Sequence, residues 1–584
     1  MSNNASLAAI FQQMADVNQV IDGNRFKTNA YQRAARLMKD LTRDVGEIDP
    51  KDLAAMEGVG KGLLEKIGQF LATGQVEEHQ QMIDNVPPGV LALLDVPGLG
   101  PKGVAQLWRE AGIESVGDLK GKIADGSLAQ LKGFGKKKLE NLSKSIAFAE
   151  SAGGRVHLGN AMPLALAVIE ALCDLPGVEK IDYAGSLRRG KETIGDIDIL
   201  IGAPGKYAAS IMEVFVGLPF AQEVLVQGET KSSIRTDDET MRIQIDLRVV
   251  DPAGYGAALM YFTGSKEHNV KLRERAQAMG YSLNEYALSH KDDKSKVVAR
   301  ATEQEVYKAL NLVWIAPELR EDRGEITLGS NGELPKLIEL SDIRADLHTH
   351  TTASDGRWSI EENALAMAAR GYHTVAITDH SKGQAQANGL NEERLVRHIH
   401  AVRKVAKKLR GKINVLAGSE VDILADGTLD YADELLAELD VVVASPHAAL
   451  SQEPKKATAR LLKAIENPYV TILGHPTGRL VLRREGLSPD MDALVKAAAA
   501  RGVAMEINAN HWRLDLRDTH ARAAIQAGCK LAINTDAHGP GDLSQIPYGV
   551  LTARRAGATA GDVINCMGAD ELQQWLQKKV QKQP

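Results

Sequence analysis

Aromatic side chains are scarce in this chain, at 4% of 584 residues, so its cores must be aliphatic. Cysteine is scarcer. Cys173, Cys529 and Cys566 are too few and too scattered for a disulfide framework or a cysteine-rich zinc finger. No run of about 18 apolar residues exists, so no membrane span is expected. The opening MSNNASLAAIFQQMADV lacks a basic region followed by an apolar core, so it does not read as a signal peptide, and a cytoplasmic protein is expected. Nor is there an excess of basic charge: the formal net charge is −6. Taken alone, that argues against a nucleic-acid partner. A net charge averages over domains, however, and residues 131–144, LKGFGKKKLENLSK, hold five lysines against one glutamate.

What is present is organised. The length allows three or four domains. Residues 1–150 read as helices broken by glycine hairpins, with an internal repeat: GVG (58–60), GLG (98–100) and GFG (133–135). Each is followed within two residues by a lysine and then by an amphipathic helix. Gly58, Gly60, Gly98, Gly100, Gly133 and Gly135 permit tight turns whose backbone N–H groups face outward at a helix start, which suits a phosphate. The repeat resembles the helix-hairpin-helix element, which grips the DNA backbone without reading sequence.

Residues 183–204, YAGSLRRGKETIGDIDILIGAP, place two carboxylates among large aliphatics. Side chains alternate along a strand, so Asp196 and Asp198 share one face while Ile197 and Ile199 take the other. Downstream, MRIQIDLRVV (241–250) is a β-branched strand with one carboxylate, Asp246, among apolar neighbours. Three acidic residues on adjacent strands can hold two Mg²⁺ ions, which clamp the oxygens of an in-line phosphoryl displacement. Ser186, at a helix start, and the cations Arg188 and Arg189 suit phosphate oxygens.

These motifs resemble the family X DNA polymerases over residues 1–317. GS-x-RRG…GDID and IDLR match the palm motifs, YFTGS (261–265) the loop beside the incoming nucleotide, and LNEYAL (283–288) follows in register. The resemblance implies Asp196, Asp198 and Asp246 as metal ligands, and Ser186, Arg189 and Gly195 as triphosphate contacts. It implies that Tyr261, Phe262 and Gly264 line the sugar pocket, that Asn269 faces the base and that Arg273 touches the template strand. Gln244 stands where polymerase beta has an arginine near the primer terminus, which puts the handling of that terminus in question. FKTNAYQRAA (26–35) and GVGKGLLEKIGQFLATG (58–74) resemble the small domain that binds a 5′-phosphate at a gap. On that match Lys66 falls at the family's Schiff-base position, and Lys27, Asn29 and Tyr31 fall in the phosphate pocket. A 5′-deoxyribose-phosphate lyase would need an activated lysine amine.

From residue 341 strand and helix alternate. Seven apolar strands can be counted, which reads as a parallel α/β barrel. At or just past six strand ends lie His348, His350 and Asp355, His380, Glu420, His447, His475, and Asp536 with His538. Active sites of such barrels are built on that rim. Nine ligands suit about three metal ions if a carboxylate bridges, and imidazole with carboxylate suits Zn²⁺, Mn²⁺ or iron better than Mg²⁺. Clustered metals lower the pKa of water, which suits phosphoester hydrolysis. DLHTHTTASDG, TDH and DAH resemble the PHP (polymerase and histidinol phosphatase) domain, over 341–584. That resemblance implies a distorted (βα)7 barrel with a trinuclear centre. Joined to a family X polymerase, it implies 3′–5′ exonuclease activity, with AP-endonuclease or 3′-phosphatase activity as related chemistries.

The expected architecture is multidomain. A lyase-like helical domain (1–88) and a helix-hairpin-helix subdomain (89–150) precede a nucleotidyltransferase palm (151–254) and a nucleotide-selecting thumb (255–317). A linker (318–340) then leads to the PHP barrel (341–584). The expected function is gap filling in base excision repair by a monomer acting on gapped or primer-template DNA with dNTPs. The rival reading is a nucleotidyltransferase on another substrate fused to a small-molecule phosphatase. A non-catalytic DNA-end scaffold would leave twelve candidate ligands without a purpose.

Overall fold

The computed structural model describes residues 3–581 except 22, 42–43, 57–58, 85, 97–98, 132, 136–137, 140–141, 144–145, 147–154, 239–240 and 485. It divides into two compact units, 1–154 and 155–584. Among the described residues no helix is long and apolar enough to cross a membrane.

The first unit is helical. Helix Asn3–Val20 supplies Leu7, Phe11 and Met14 to a core with Tyr31, Ile67 and Phe70, and Val17 and Val20 to a second core with Leu107, Leu119 and Phe134. The repeat's glycines start helices. Gly60 caps Lys61–Thr73 and Gly100 caps Pro101–Ala111, both in extended conformation. Gly135 O accepts from the N–H groups of Lys138 and Leu139 at 2.9 and 3.1 Å. Gly133 has φ +85°, where glycine is favoured. Gly58 and Gly98 lie outside the described residues.

The second unit begins with a five-stranded sheet. Its strands are β1 (Lys180–Tyr183), β2 (Asp196–Gly202), β3 (Glu223–Gln227), β4 (Lys231–Asp238) and β5 (Met241–Val250), in the order β1-β2-β5-β4-β3. Ile197, Ile199 and Ile201 of β2 point into a core with helices Leu158–Leu172 and Ala208–Val216. Burial stabilises each by about 1.5–3 kcal/mol relative to exposure. The opposite face carries Asp196, Asp198 and Leu200, and Leu200 packs on Tyr255 and Leu259 of helix Tyr255–Thr263. Helix Lys266–Ala278, a three-stranded sheet and helix Glu303–Ala309 complete the thumb.

Residues 318–340 are not a bare linker. Leu319, Ile326, Leu334 and Leu337 pack into the thumb core. Arg320 is wholly buried, with its guanidinium 2.7 and 3.1 Å from the two oxygens of Glu303. Glu325 stands 2.7 Å from buried His268. The segment is held by these scattered apolar anchors together with buried ion pairs, a combination that leaves no apolar period in the sequence.

The barrel strands are β6 (Ala345–Asp346), β7 (Thr374–Ile377), β8 (Asn414–Asp422), β9 (Val441–Ser445), β10 (Ile472–Leu473), β11 (Ala504–Asn508) and β12 (Leu531–Asn534). All are parallel and in sequence order. A parallel bridge between Thr349 and Ala537 links the chain past β6 to the chain past β12, so the sheet nearly closes. The interior is filled by small and aliphatic residues, including Ala345, Leu347, Ala376, Val441, Val443, Ile472, Ala504 and Ala532. Palm and barrel are packed together: Leu514 enters the palm core, and Arg479 meets Glu192 at 2.6 and 3.1 Å.

Candidate active sites

β2 and β5 are parallel neighbours, which sets Asp198 opposite Asp246 and Asp196 opposite Gln244. Burial first, and then the charges of Asp196 and Asp246, push the Asp198 carboxyl up to about 7. Burial and Asp246 also raise Asp196. Both oxygens of Asp246 are held, Oδ2 by Lys231 Nζ at 3.1 Å and Oδ1 by Gln244 Nε2 at 2.8 Å. Gln244 thus donates to one of the three carboxylates.

Gly185 opens the short helix Gly185–Arg188 with φ +61°, and a Cβ there would lie 2.4 Å from Asp198 Oδ2. Glycine is required for this approach. Ser186 follows it, half-buried. Gly195 leaves room for Arg155, whose Nη1 would sit 3.2 Å from a Cβ. Arg188 is committed to Glu303 at 2.8 Å and Thr263 Oγ1 at 2.7 Å. Arg189 donates to Glu321 at 3.0 Å and Thr263 O at 2.5 Å. Tyr261 and Phe262 meet edge to face at 5.2 Å, with Arg248 over the Phe262 ring. Asn269 donates to Tyr261 O at 2.7 Å, and Arg273 is half-exposed on the same helix.

Three carboxylates on adjacent strands, two of them raised by burial and mutual repulsion, fit a divalent-cation site. Below about pH 7 a metal ion must displace the Asp198 proton, so Mg²⁺ binding at about pH 6 should release protons and binding above about pH 8 should not. Calorimetric titration in two buffers of different ionisation enthalpy checks this. Equal release at both pH values would contradict it.

The barrel rim gathers all nine residues predicted from its strand ends. One group is His350, Asp355, His380 and His538, a second His348, His350, Glu420 and Asp536, and a third His380, Glu420 and His447. His475 Nε2 joins at Glu420 Oε1, 2.8 Å away. His348 Nε2, both ring nitrogens of His350, Glu420 Oε2 and Asp536 Oδ1 are buried without a hydrogen-bond partner among the described residues. His350 Nε2 stands 3.0 Å from Asp536 Oδ1, close but without hydrogen-bond geometry. Buried polar atoms left so are costly, and convergent imidazole and carboxylate donors fit a cluster of Zn²⁺ or Mn²⁺ ions. Burial opposes charging His447 and His538, yet Glu420 and Asp422 raise the first, and Asp355 and Asp536 the second, to about 9.

Sequence reasoning missed three supporting carboxylates. Glu506, in β11, accepts from His348 Nδ1 at 2.8 Å and from the His475 N–H at 2.8 Å. Asp422 binds His447 Nδ1. Asp379 bonds Thr351 and Ser354 beneath the rim. Two of them carried a signal: Asp379 stands in the TDH motif, and Glu506 lies between apolar neighbours in VAMEIN.

In the first unit, Glu78 gathers the groups expected in a phosphate pocket. Lys66 Nζ lies 2.7 Å, Lys27 Nζ 3.1 Å and Tyr31 OH 2.7 Å from its carboxylate. Burial works against ionising Glu78, but hydrogen bonds from Lys66, Tyr31 and Lys27 hold it down at about 2. Asn29 is exposed on the same helix as Lys27.

A palm-like sheet with a carboxylate trio and a barrel with an imidazole–carboxylate rim define a divalent-metal-dependent phosphoryl-transfer protein with two reaction centres. The DNA polymerase/3′-5′ exonuclease PolX of Bacillus subtilis (strain 168) is 36% identical over 555 residues, 95% of this chain and 96% of that protein. The chain belongs to the family X DNA polymerases that carry a C-terminal PHP domain. Family models match in the expected order: Helix-hairpin-helix domain at 2–76, SAM-like Helix-hairpin-helix tandem at 90–147, DNA polymerase beta thumb at 258–321 and PHP domain at 346–510. The DNA polymerase lambda of Rattus norvegicus is 26% identical over 329 residues, 52% of this chain and 53% of that protein. A probable phosphatase of Thermoanaerobacter sp. (strain X514) is 28% identical over 248 residues, 41% of this chain and 96% of that protein.

Proposed function

We infer that this chain is a DNA-directed DNA polymerase that fills short gaps, and a 3′–5′ exonuclease, with one centre for each reaction. The observation that carries the reading is the presence of two separate sets of candidate ligands, Asp196, Asp198 and Asp246 on adjacent palm strands and the nine residues of the barrel rim. The palm carboxylates would hold two Mg²⁺ ions, and the rim about three Zn²⁺ or Mn²⁺ ions. Bound there, the ions would supply charge neutralisation for phosphoryl transfer. The chain's own residues orient the reactants. Ser186 and the Gly185 helix start face the triphosphate, with Arg189 and Gly195 beside it. Tyr261, Phe262 and Gly264 shape the sugar pocket, Asn269 meets the base and Arg273 the template. The glycine hairpins hold the DNA backbone. The setting is base excision repair in the cytoplasm, the working form a monomer, and AP-endonuclease or 3′-phosphatase activity would use the same rim.

With Mg²⁺ and dNTPs, a 5′-labelled primer at a short DNA gap should be extended. Failure on gapped DNA, with transfer to RNA or a small molecule instead, would favour the rival nucleotidyltransferase reading.

Lys66 is the proposed lyase nucleophile, and its ion pair with Glu78 must open before the amine meets a sugar aldehyde. Borohydride should cross-link the protein to DNA bearing a 5′-deoxyribose phosphate. Lys66→Ala should lose most of that product, and Glu78→Gln should increase it. Unchanged trapping in Lys66→Ala would place the nucleophile elsewhere.

A further inference from the structure

Arg189, the proposed triphosphate contact, is already engaged. Its Nε lies 3.0 Å from Glu321 Oε1, and only 13% of the Arg189 side chain and 11% of that of Glu321 are exposed. The same oxygen accepts from Arg555 Nη1 at 2.9 Å. Arg555 belongs to helix Ile546–Ala556 of the barrel, and its Nη1 also donates to Arg189 O at 2.7 Å. Its Nη2 holds Asp518 Oδ2 at 2.8 Å, which Arg323 shares at 3.0 Å. Lys191 stands 3.7 Å from the other oxygen of Glu321. A barrel residue therefore touches both the main chain of Arg189 and the carboxylate that occupies its side chain.

We propose that Glu321 competes with the incoming nucleotide's triphosphate for the Arg189 guanidinium, and that Arg555 of the barrel sets the strength of that competition. The inference rests on the reading of Arg189 as a triphosphate contact. A carboxylate bound to a guanidinium offsets its charge and fixes its orientation, so a second anion binds less strongly while that contact lasts. Arg555 makes release easier, because Glu321 keeps a buried cationic partner after Arg189 leaves. Without Arg555, Glu321 keeps Arg189 and Lys191 as its cationic partners among the described residues and grips Arg189 harder. Glu321 and Arg555 are positioning residues, acting on nucleotide affinity through Arg189. The barrel would thus influence polymerisation through a side chain outside its nine-residue rim.

The test is single-nucleotide gap filling by the full chain with Mg²⁺, resolving KM for dNTP from kcat. Glu321→Gln keeps shape and hydrogen bonding but removes charge. It should lower KM by about three- to tenfold, the range for the net worth of one ordinary hydrogen bond, with kcat within about twofold. Arg555→Met should raise KM by a similar factor while 3′–5′ degradation of a single-stranded oligonucleotide keeps the wild-type rate. Glu321→Gln/Arg555→Met should return to the low KM of Glu321→Gln. A merely structural role for Glu321 predicts the opposite, an unchanged or higher KM in Glu321→Gln, and that result overturns the proposal. Arg189→Ala separates the two levels. If its KM is unchanged, the triphosphate reading fails. If its KM rises while Glu321→Gln matches wild type, the competition alone fails. Should Arg555→Met not fold, Glu321→Gln still decides.

Discussion

Asp246→Ala is expected to abolish dNTP incorporation, by about a thousandfold or more, and to leave 3′–5′ degradation at the wild-type rate. Asp246 is the third carboxylate of the palm cluster and stands in register with Asp198 on the neighbouring strand. Losing one ligand of a metal pair that clamps both reacting oxygens removes on the order of 4 kcal/mol of transition-state stabilisation, about a thousandfold in rate. The fold should survive. Asp246 contributes to the repulsion that raises Asp196 and Asp198, so its removal relieves like-charge strain in a sheet whose other face is aliphatic. Its loss also releases Lys231 and Gln244, so the two effects oppose and the melting temperature of the metal-free variant should change little. Gel analysis of a 5′-labelled primer, with and without dNTPs, measures both activities at once. Loss of both in a folded variant would contradict two independent centres.

Glu420→Ala should do the reverse, with degradation reduced by about a thousandfold and gap filling retained. One wholly buried carboxylate is the meeting point of five imidazoles. His475 and His447 lie 2.8 and 3.2 Å from Oε1, and His380, His348 and His350 lie 2.9, 3.3 and 3.5 Å from Oε2. No other rim residue is shared so widely among the described contacts. Retained polymerisation would also report on folding, because the palm is packed against the barrel through Leu514 and the Arg479–Glu192 pair. Glu420→Gln gives a second reading that keeps side-chain volume. If either variant degraded primers at the wild-type rate, the rim would not be the exonuclease centre.

Much of this was legible in the sequence because the relevant periods are short. Two-residue alternation in DIDIL separates Asp196 and Asp198 from Ile197 and Ile199, and the structure keeps that division. The barrel rim could be read because its residues sit at or just past the ends of countable apolar strands, and parallel strands end on one rim. What escaped depends on distant pairing. Glu78 meets Lys27 across 51 positions, and the Arg189–Glu321 bond spans 132. No local pattern marks such partners. Residues 318–340 read as a linker for the same reason, since Arg320 and Glu325 are buried by charge pairing rather than by an apolar face.

The most direct test of two centres in one chain uses a single substrate, a 5′-labelled primer at a short DNA gap, and four proteins: wild type, Asp246→Ala, Glu420→Ala and the double variant. The label is followed first without dNTPs and then after their addition. Wild type should shorten the primer and then extend it. Asp246→Ala should only shorten it, Glu420→Ala should only extend it, and the double variant should leave it unchanged. Extension in Asp246→Ala, or shortening in the double variant, at a rate comparable to wild type would contradict the account.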